Sequence, residues 1–145
     1  MITVATCGCF DLLHAGHISY LQESRKLGDK LVVLLNTDEW IRQNKREPIY
    51  CQEQRKFMLE ALSCVDQVIL FNSNDEKEDL LRVLKPQIFT KATKQGEYNN
   101  PLQLIEAPVL HEWNGSIILI ESIYPKCSTS ETIKKIVNSS VDSVV

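Results

Sequence analysis

No apolar run in the chain approaches the ~20 residues that a membrane-spanning helix needs, and no basic stretch precedes its first apolar residues. Neither a bilayer span nor a secretory leader can be read from the sequence, so the expectation is a cytoplasmic protein with no membrane partner. An excess of basic residues is also missing: 16 Lys and Arg stand against 19 Asp and Glu, a net charge of -3. Non-specific nucleic-acid binding requires a broad basic surface. No nucleic-acid partner is therefore expected, whereas a local basic cleft for a small anion remains compatible with this balance. The five cysteines (Cys7, Cys9, Cys51, Cys64 and Cys127) are odd in number and contain no Cys-x-x-Cys pair. That pattern argues against a disulfide framework and a zinc ribbon, and for reduced, mostly packed thiols. Internal repeats, linkers and low-complexity blocks are absent as well.

What remains is an ordinary globular composition, 43% hydrophobic and 24% charged in 145 residues. This length suits one domain with a substantial core. Ile2 to Cys7, rich in β-branched residues and stopped by Gly8, reads as a short buried strand. Gly16 to Leu27 reads as a helix, with Ile18, Leu21 and Leu27 near helical spacing and Gly28 as its stop. Lys30 to Asn36 holds a continuous apolar run without alternation, as in a parallel strand covered on both faces. The chain thus opens with a βαβ unit.

Thr37 to Tyr50 reads as a loop, or a short helix and then a loop, and Gln52 to Leu62 as a helix. Gln67 to Phe71 is predicted as a third strand, Lys77 to Leu84 as a helix ended by Pro86, and Gln87 to Thr90 as a fourth strand. Lys91 to Pro101 is polar and turn-rich, Leu102 to Ala107 fits one or two helical turns, and Ser116 to Ile120 is a fifth strand. A last helix is predicted from Thr129 to Val137, so the domain covers residues 1–138 and the tail at 139–145 is expected to fray. This alternation implies an α/β domain with a mainly parallel sheet and a ligand site at the strand carboxyl ends.

The end of the first strand runs Cys7-Gly8-Cys9-Phe10-Asp11-Leu12-Leu13-His14-Ala15-Gly16-His17 and leads directly into a helix. Gly8 permits a sharp turn or close approach, and Gly16 leaves the amides at the helix start unobstructed. Those amides and the helix dipole favour a phosphate, with His14 and His17 beside it as donors. A zinc reading of the two histidines ranks lower, since the third histidine, His111, lies far along the chain.

Gly8-Cys9-Phe10-Asp11-Leu12-Leu13-His14-Ala15-Gly16-His17 resembles the G-x-F-D-x-x-H-x-G-H signature of the cytidylyltransferase-like nucleotidyltransferases. Further matches are Lys26-Leu27-Gly28-Asp29, Asn36-Thr37-Asp38-Glu39, Glu53-Gln54-Arg55, and Cys127-Ser128-Thr129-Ser130 before Ile133-Lys134-Lys135-Ile136. The resemblance implies a Rossmann-like single domain: a five-stranded, mainly parallel sheet with helices on both faces. It also implies transfer of a nucleoside monophosphate from a triphosphate to the phosphate of a small acceptor, with release of pyrophosphate. An acceptor phosphate is already a nucleophile at neutral pH, so positioning and charge stabilisation suffice and no catalytic triad is needed.

By this resemblance His14 and His17 donate to the triphosphate and to charge developing at the α-phosphorus. Gly8, Cys9, Phe10, Asp11 and Gly16 belong to the same nucleotide-binding stretch, and Ser128, Thr129 and Ser130 bind the β- and γ-phosphates from a helix start. Ser128 to Glu131 also fits a plain capping box, and Cys127 is expected to pack. Lys45 or Arg46 supplies a basic residue to the phosphates, the register leaving the choice open. Arg55 matches a family arginine, its alternative being a structural ion pair with Asp38 or Glu53. Asp11, Asp38 and Lys91 are the implied acceptor contacts, and Mg²⁺ is carried by the triphosphate. Homodimers are common among such proteins, which leaves a homodimer open without identifying an interface.

Two segments depart from the glycerol 3-phosphate cytidylyltransferase pattern. Ile123-Tyr124-Pro125-Lys126 replaces an Arg-Thr-Glu-Gly run, and Ala92-Thr93-Lys94-Gln95-Gly96-Glu97-Tyr98 is longer than the usual glycine-acid turn. Trp113-Asn114-Gly115 and Ala15-Gly16-His17-Ile18-Ser19-Tyr20-Leu21 are nearer to the heptose 1-phosphate adenylyltransferase branch, which is the favoured expectation. A glycerol 3-phosphate-type cytidylyltransferase is the alternative. From another class, a nucleotide-binding regulatory module without turnover is the rival.

Overall fold

The structure is a computed structural model that describes residues 1–93, 100–121 and 128–139. Five strands form one parallel sheet: β1 (Thr3–Gly8), β2 (Lys30–Asn36), β3 (Gln67–Phe71), β4 (Ile88–Thr93) and β5 (Ser116–Glu121), in the order β3-β2-β1-β4-β5. The helices are α1 (Ala15–Lys26), α2 (Asp38–Asn44), α3 (Gln52–Glu60), α4 (Asn74–Leu84), α5 (Ala107–His111) and α6 (Thr129–Ser139). This is the parallel α/β sheet that the alternation implied, in the Rossmann-like form that the resemblance implied.

Strand periodicity divides the core between the two faces of the sheet. Val4, Leu31, Val33 and Leu35 face Tyr20 and Leu21 of α1 and Leu59 of α3. Ala5, Val32 and Leu34 face Leu81 of α4 and Val109 and Leu110 of α5. Leu31 to Leu35 are all fully buried, which is why that run is apolar without alternation.

The sheet order reverses at β1, and the pairing changes there. β1 matches β2 over six residue pairs but β4 over only two, Val4 with Ile88 and Ala5 with Phe89. Beyond them Lys91 to Thr93 pair with β5 alone among the described ladders. The carboxyl halves of β1 and β4 therefore part, at the switch point where open α/β sheets bind ligands. Below the opening, hydroxyls close the gap: Thr6 and Thr90 both bond the Tyr20 hydroxyl, and Ser24 Oγ reaches Thr90 Oγ1 at 2.9 Å.

Some boundaries differ from the sequence expectation. β4 runs to Thr93 instead of Thr90, because β5 continues to pair with it. α4 starts at Asn74, three residues before the expected Lys77, where the Ser73 hydroxyl accepts the Glu76 amide as an N-cap. The expected turns at Leu102 to Ala107 are a 3₁₀ turn over Pro101–Gln103, and α5 begins at Ala107, where those turns were expected to end. The run from Lys94 to Tyr98, the segment Ile123 to Lys126, Cys127 and the tail from residue 140 lie outside the described residues.

Candidate active site

A cavity of about 360 Å³ opens at the switch point, within the range of small-molecule sites. Its floor is the end of β1, Cys7 and Gly8, and the turn that follows, Cys9 and Phe10. Two helix starts line it: His14, Gly16 and His17 at the start of α1, and Ser128, Thr129 and Ser130 at the start of α6. Lys45 and Lys91 complete the wall with positive charge. Among the described residues its lining contains no carboxylate.

The turn is shaped by two residues in left-handed backbone, Phe10 (φ 47°) and Leu12 (φ 58°). Such conformations are costly for non-glycine residues and persist where surroundings enforce them. Gly8 makes room for the first: a Cβ there would lie 2.8 Å from the Phe10 ring. Phe10 in turn stands edge-on to His17, with ring centroids 5.4 Å apart.

The two histidines form a cap. His14 Nδ1 accepts from the Gly16 amide at 3.0 Å and the His17 amide at 3.4 Å, and His17 Nδ1 accepts from the His14 amide at 3.4 Å. Against the expectation of unobstructed amides at the helix start, the Gly16 amide is taken by the N-capping imidazole. The consequence is a fixed tautomer: an accepting Nδ1 places each ring proton on Nε2. The rings stack with centroids 3.8 Å apart. Burial pushes His17 down to about 4, with the neighbouring His14 and Lys45 adding to the effect, and burial also lowers His14. Both are neutral N–H donors at pH 7.

Packing sends Lys45 and Arg46 to different surroundings. Arg46 Nη1 donates to Asp11 Oδ2 at 2.8 Å, whereas Lys45 lines the cavity, its Nζ 5.9 Å from the Trp40 ring centre. Asp11 is buried and also accepts the Ile49 amide at 2.7 Å and the Tyr50 amide at 3.0 Å. Burial alone would raise its carboxyl; the Ile49 amide, Arg46 and the Tyr50 amide outweigh it and hold the group below the usual range. Arg55 is buried as well, donating to the carbonyls of Tyr50, Cys9 and Asn36 and to Asp38 Oδ1 at 2.7 Å. Asp11, Asp38, Arg46 and Arg55 thus stand outside the cavity lining and brace the loops around it. Their charged atoms bond one another, Arg46 to Asp11 at 2.8 Å and Arg55 to Asp38 at 2.7 Å.

α6 is anchored to the same framework. Thr129 Oγ1 donates to the Asp11 carbonyl at 2.6 Å, and Ser128 Oγ accepts the Glu131 amide at 3.0 Å. At the opposite wall Lys91 lies 3.4 Å from Glu106 Oε1, which also holds Lys77 at 2.8 Å. Sequence reading passed over both Lys77 and Glu106. One signal was available: Lys77 precedes Leu81 and Leu84 by four and seven residues, on the apolar face of α4.

A parallel sheet with paired histidines at one helix start, a Ser-Thr helix start opposite and lysines between defines the nucleotidyltransferase class of α/β enzyme. The profile of the family described as cytidylyltransferase-like matches residues 5–135. The bifunctional protein HldE of Trichlorobacter lovleyi is 38% identical over 141 residues, 96% of this chain and 28% of that protein. The HldE of Streptomyces coelicolor is 42% identical over 129 residues, 88% of this chain and 27% of its own length. Among solved structures, the lipopolysaccharide core biosynthesis protein of Thermoplasma volcanium superposes with a TM-score of 0.66 at 33% identity, over 84% of this chain and 96% of that one. The chain belongs to the cytidylyltransferase-like family. It spans little more than a quarter of the length of the HldE relatives.

Proposed function

We propose that the protein transfers an adenylyl group from ATP to the phosphate of a heptose 1-phosphate-like sugar, releasing pyrophosphate. The observation that carries this is the pair of neutral, tautomer-fixed histidines in a cavity that also holds two lysines and the α6 helix start. An acceptor phosphate oxygen attacks the α-phosphorus; that new P–O bond forms as the bond from the α-phosphorus to the bridging oxygen breaks, and the electron pair leaves on pyrophosphate. His14 and His17 donate from Nε2 to oxygens of the α-phosphate, where charge builds in the transition state. Lys45 meets the triphosphate, and Ser128, Thr129 and Ser130 offer hydroxyls and the α6 amides to its distal phosphates. Gly8, Cys9, Phe10 and Gly16 bound the space it occupies.

The acceptor needs no general base, in keeping with histidines that serve as donors. The Mg²⁺ salt of ATP is the substrate form: the cavity's donors are cationic or neutral, and the triphosphate oxygens are the natural ligands of this ion. The HldE likeness favours adenylyl over cytidylyl transfer. Pyrophosphate release measured with each of the four NTPs, Mg²⁺ and a panel of sugar and polyol phosphates tests the reading. ATP with a heptose 1-phosphate is expected to give the fastest release. Preference for CTP with glycerol 3-phosphate would replace the substrates, and nucleotide binding without release from any pair would overturn the reaction.

A further inference from the structure

Behind the β4 wall of the cavity, one buried carboxylate serves two lysines. Glu106 precedes α5, and its side chain is fully covered. Its Oε1 accepts from Lys77 Nζ of α4 at 2.8 Å and from Lys91 Nζ of β4 at 3.4 Å, and the Cys7 thiol stands 3.9 Å away; Oε2 has no partner among the described residues. The short contact goes to Lys77, which is 7% exposed and stands outside the cavity lining. The longer one goes to Lys91, which lines the cavity and is 28% exposed. Three charges sum to +1, and the geometry leaves that surplus on the lysine facing the cavity.

A lysine buried like Lys77 is otherwise expensive. Without it, Glu106 would bond Lys91 alone and neutralise it. Without Glu106, Lys77 and Lys91 would face each other with no compensating charge between them. We propose that Glu106 and Lys77 are positioning residues: they hold Lys91 at the cavity wall with its charge only partly compensated, as the receptor for a phosphate group of a substrate. This rests on the nucleotidyl-transfer reading above and adds residues to it.

Among the described residues, Cys7 of β1, Tyr20 of α1 and Glu106 act on the Lys91 ammonium, and Lys77 of α4 shares the Glu106 oxygen with it. Burial alone would lower its pKa, but Cys7 and Glu106 outweigh this and raise it. Burial pushes the Cys7 thiol itself up, so at neutral pH Glu106 carries the interaction.

The test is calorimetric titration of inorganic phosphate into the whole protein, alone and saturated with α,β-methylene-ATP, from pH 7 to 10. Glu106→Gln and Lys77→Met are each expected to weaken phosphate at least about tenfold, the scale of one charge-assisted hydrogen bond. In Glu106→Gln the alkaline loss of affinity moves to lower pH, while in Lys77→Met it does not. Phosphate that still binds beside the ATP analogue marks the acceptor's site; phosphate displaced by it marks the triphosphate's. Wild-type affinity in both variants, with only a lower Tm, assigns them a structural role and overturns the proposal. So does a wild-type protein that binds no phosphate. Should Glu106→Gln fail to fold, Lys77→Met and Lys91→Met, the latter expected to abolish binding, decide the same question. Phosphate binding that depends on Glu106 without pyrophosphate release would refute turnover and leave this inference standing.

Discussion

Two histidines three residues apart act here on the backbone before they act on any ligand. Each spends Nδ1 on amides at the start of α1, which fixes Nε2–H and stacks the rings. The arrangement is tuned for neutrality. His17 titrates near 4 in the folded chain against an ordinary 6.5, so the unfolded state binds its proton first as pH falls. Its contribution to stability is complete above pH 6.5 and is lost between there and pH 4, on the order of 3 kcal/mol in all. Urea unfolding at pH 7 and pH 4.5 is expected to show this loss in the wild type and a smaller one in His17→Asn; equal losses would count against it. The histidines were legible because residue type and spacing persist in one dimension. The separate surroundings of Lys45 and Arg46 were not: adjacent residues leave a helix end in different directions, and a buried carboxylate 35 positions earlier takes Arg46.

Elements fix these directions, and Asp11 is where they meet. Its carboxylate gathers Arg46 and the amides of Ile49 and Tyr50, while its carbonyl accepts the Thr129 hydroxyl of α6. The loop after α2 and the start of α6 thus hang on the residue that follows the strained Phe10. Asp11→Ala removes three bonds to one ionised acceptor. It is expected to cost about 3 kcal/mol in urea unfolding and to speed proteolysis within residues 45–50. A cost below about 1 kcal/mol with unchanged proteolysis would remove this bracing role.

The strands were the most readable elements. β2 and β3 match their expected bounds because both are ended by polar residues on each side of an apolar run. α4 was shortened because its first turn, Asn74 to Glu76, is polar and identifiable only through the Ser73 cap. Trp113-Asn114-Gly115 resembled a family feature, and its physical reason emerges in three dimensions. Asn114 turns in left-handed backbone, Trp113 Nε1 donates to the Pro86 carbonyl at 2.9 Å, and a Cβ on Gly115 would press within 3.0 Å of that carbonyl.

The molecule as a whole places its chemistry by topology. The chain builds β1, β2 and β3 to one side, returns to lay β4 and β5 on the other, and leaves β1 and β4 parting where the order reverses. Alternating strands and helices made the sheet legible. The order of the strands was not, and with it was hidden the meeting of Lys77, Lys91 and Glu106, which come from three elements and share no local pattern. No helix among the described residues is long and apolar enough to cross a membrane. Within the sheet's opening, the α1 and α6 helix starts, linked through Asp11, enclose one cavity with lysines on its walls.

Nucleotidyl transfer, as proposed, takes place at the His14–His17 end of that cavity. The most direct measurement is kcat for pyrophosphate release from MgATP and a heptose 1-phosphate, compared between wild type and His17→Ala. Loss of one transition-state donor is expected to lower kcat by at least about 10²-fold while ATP still binds. An unchanged kcat in the variant would place the chemistry elsewhere.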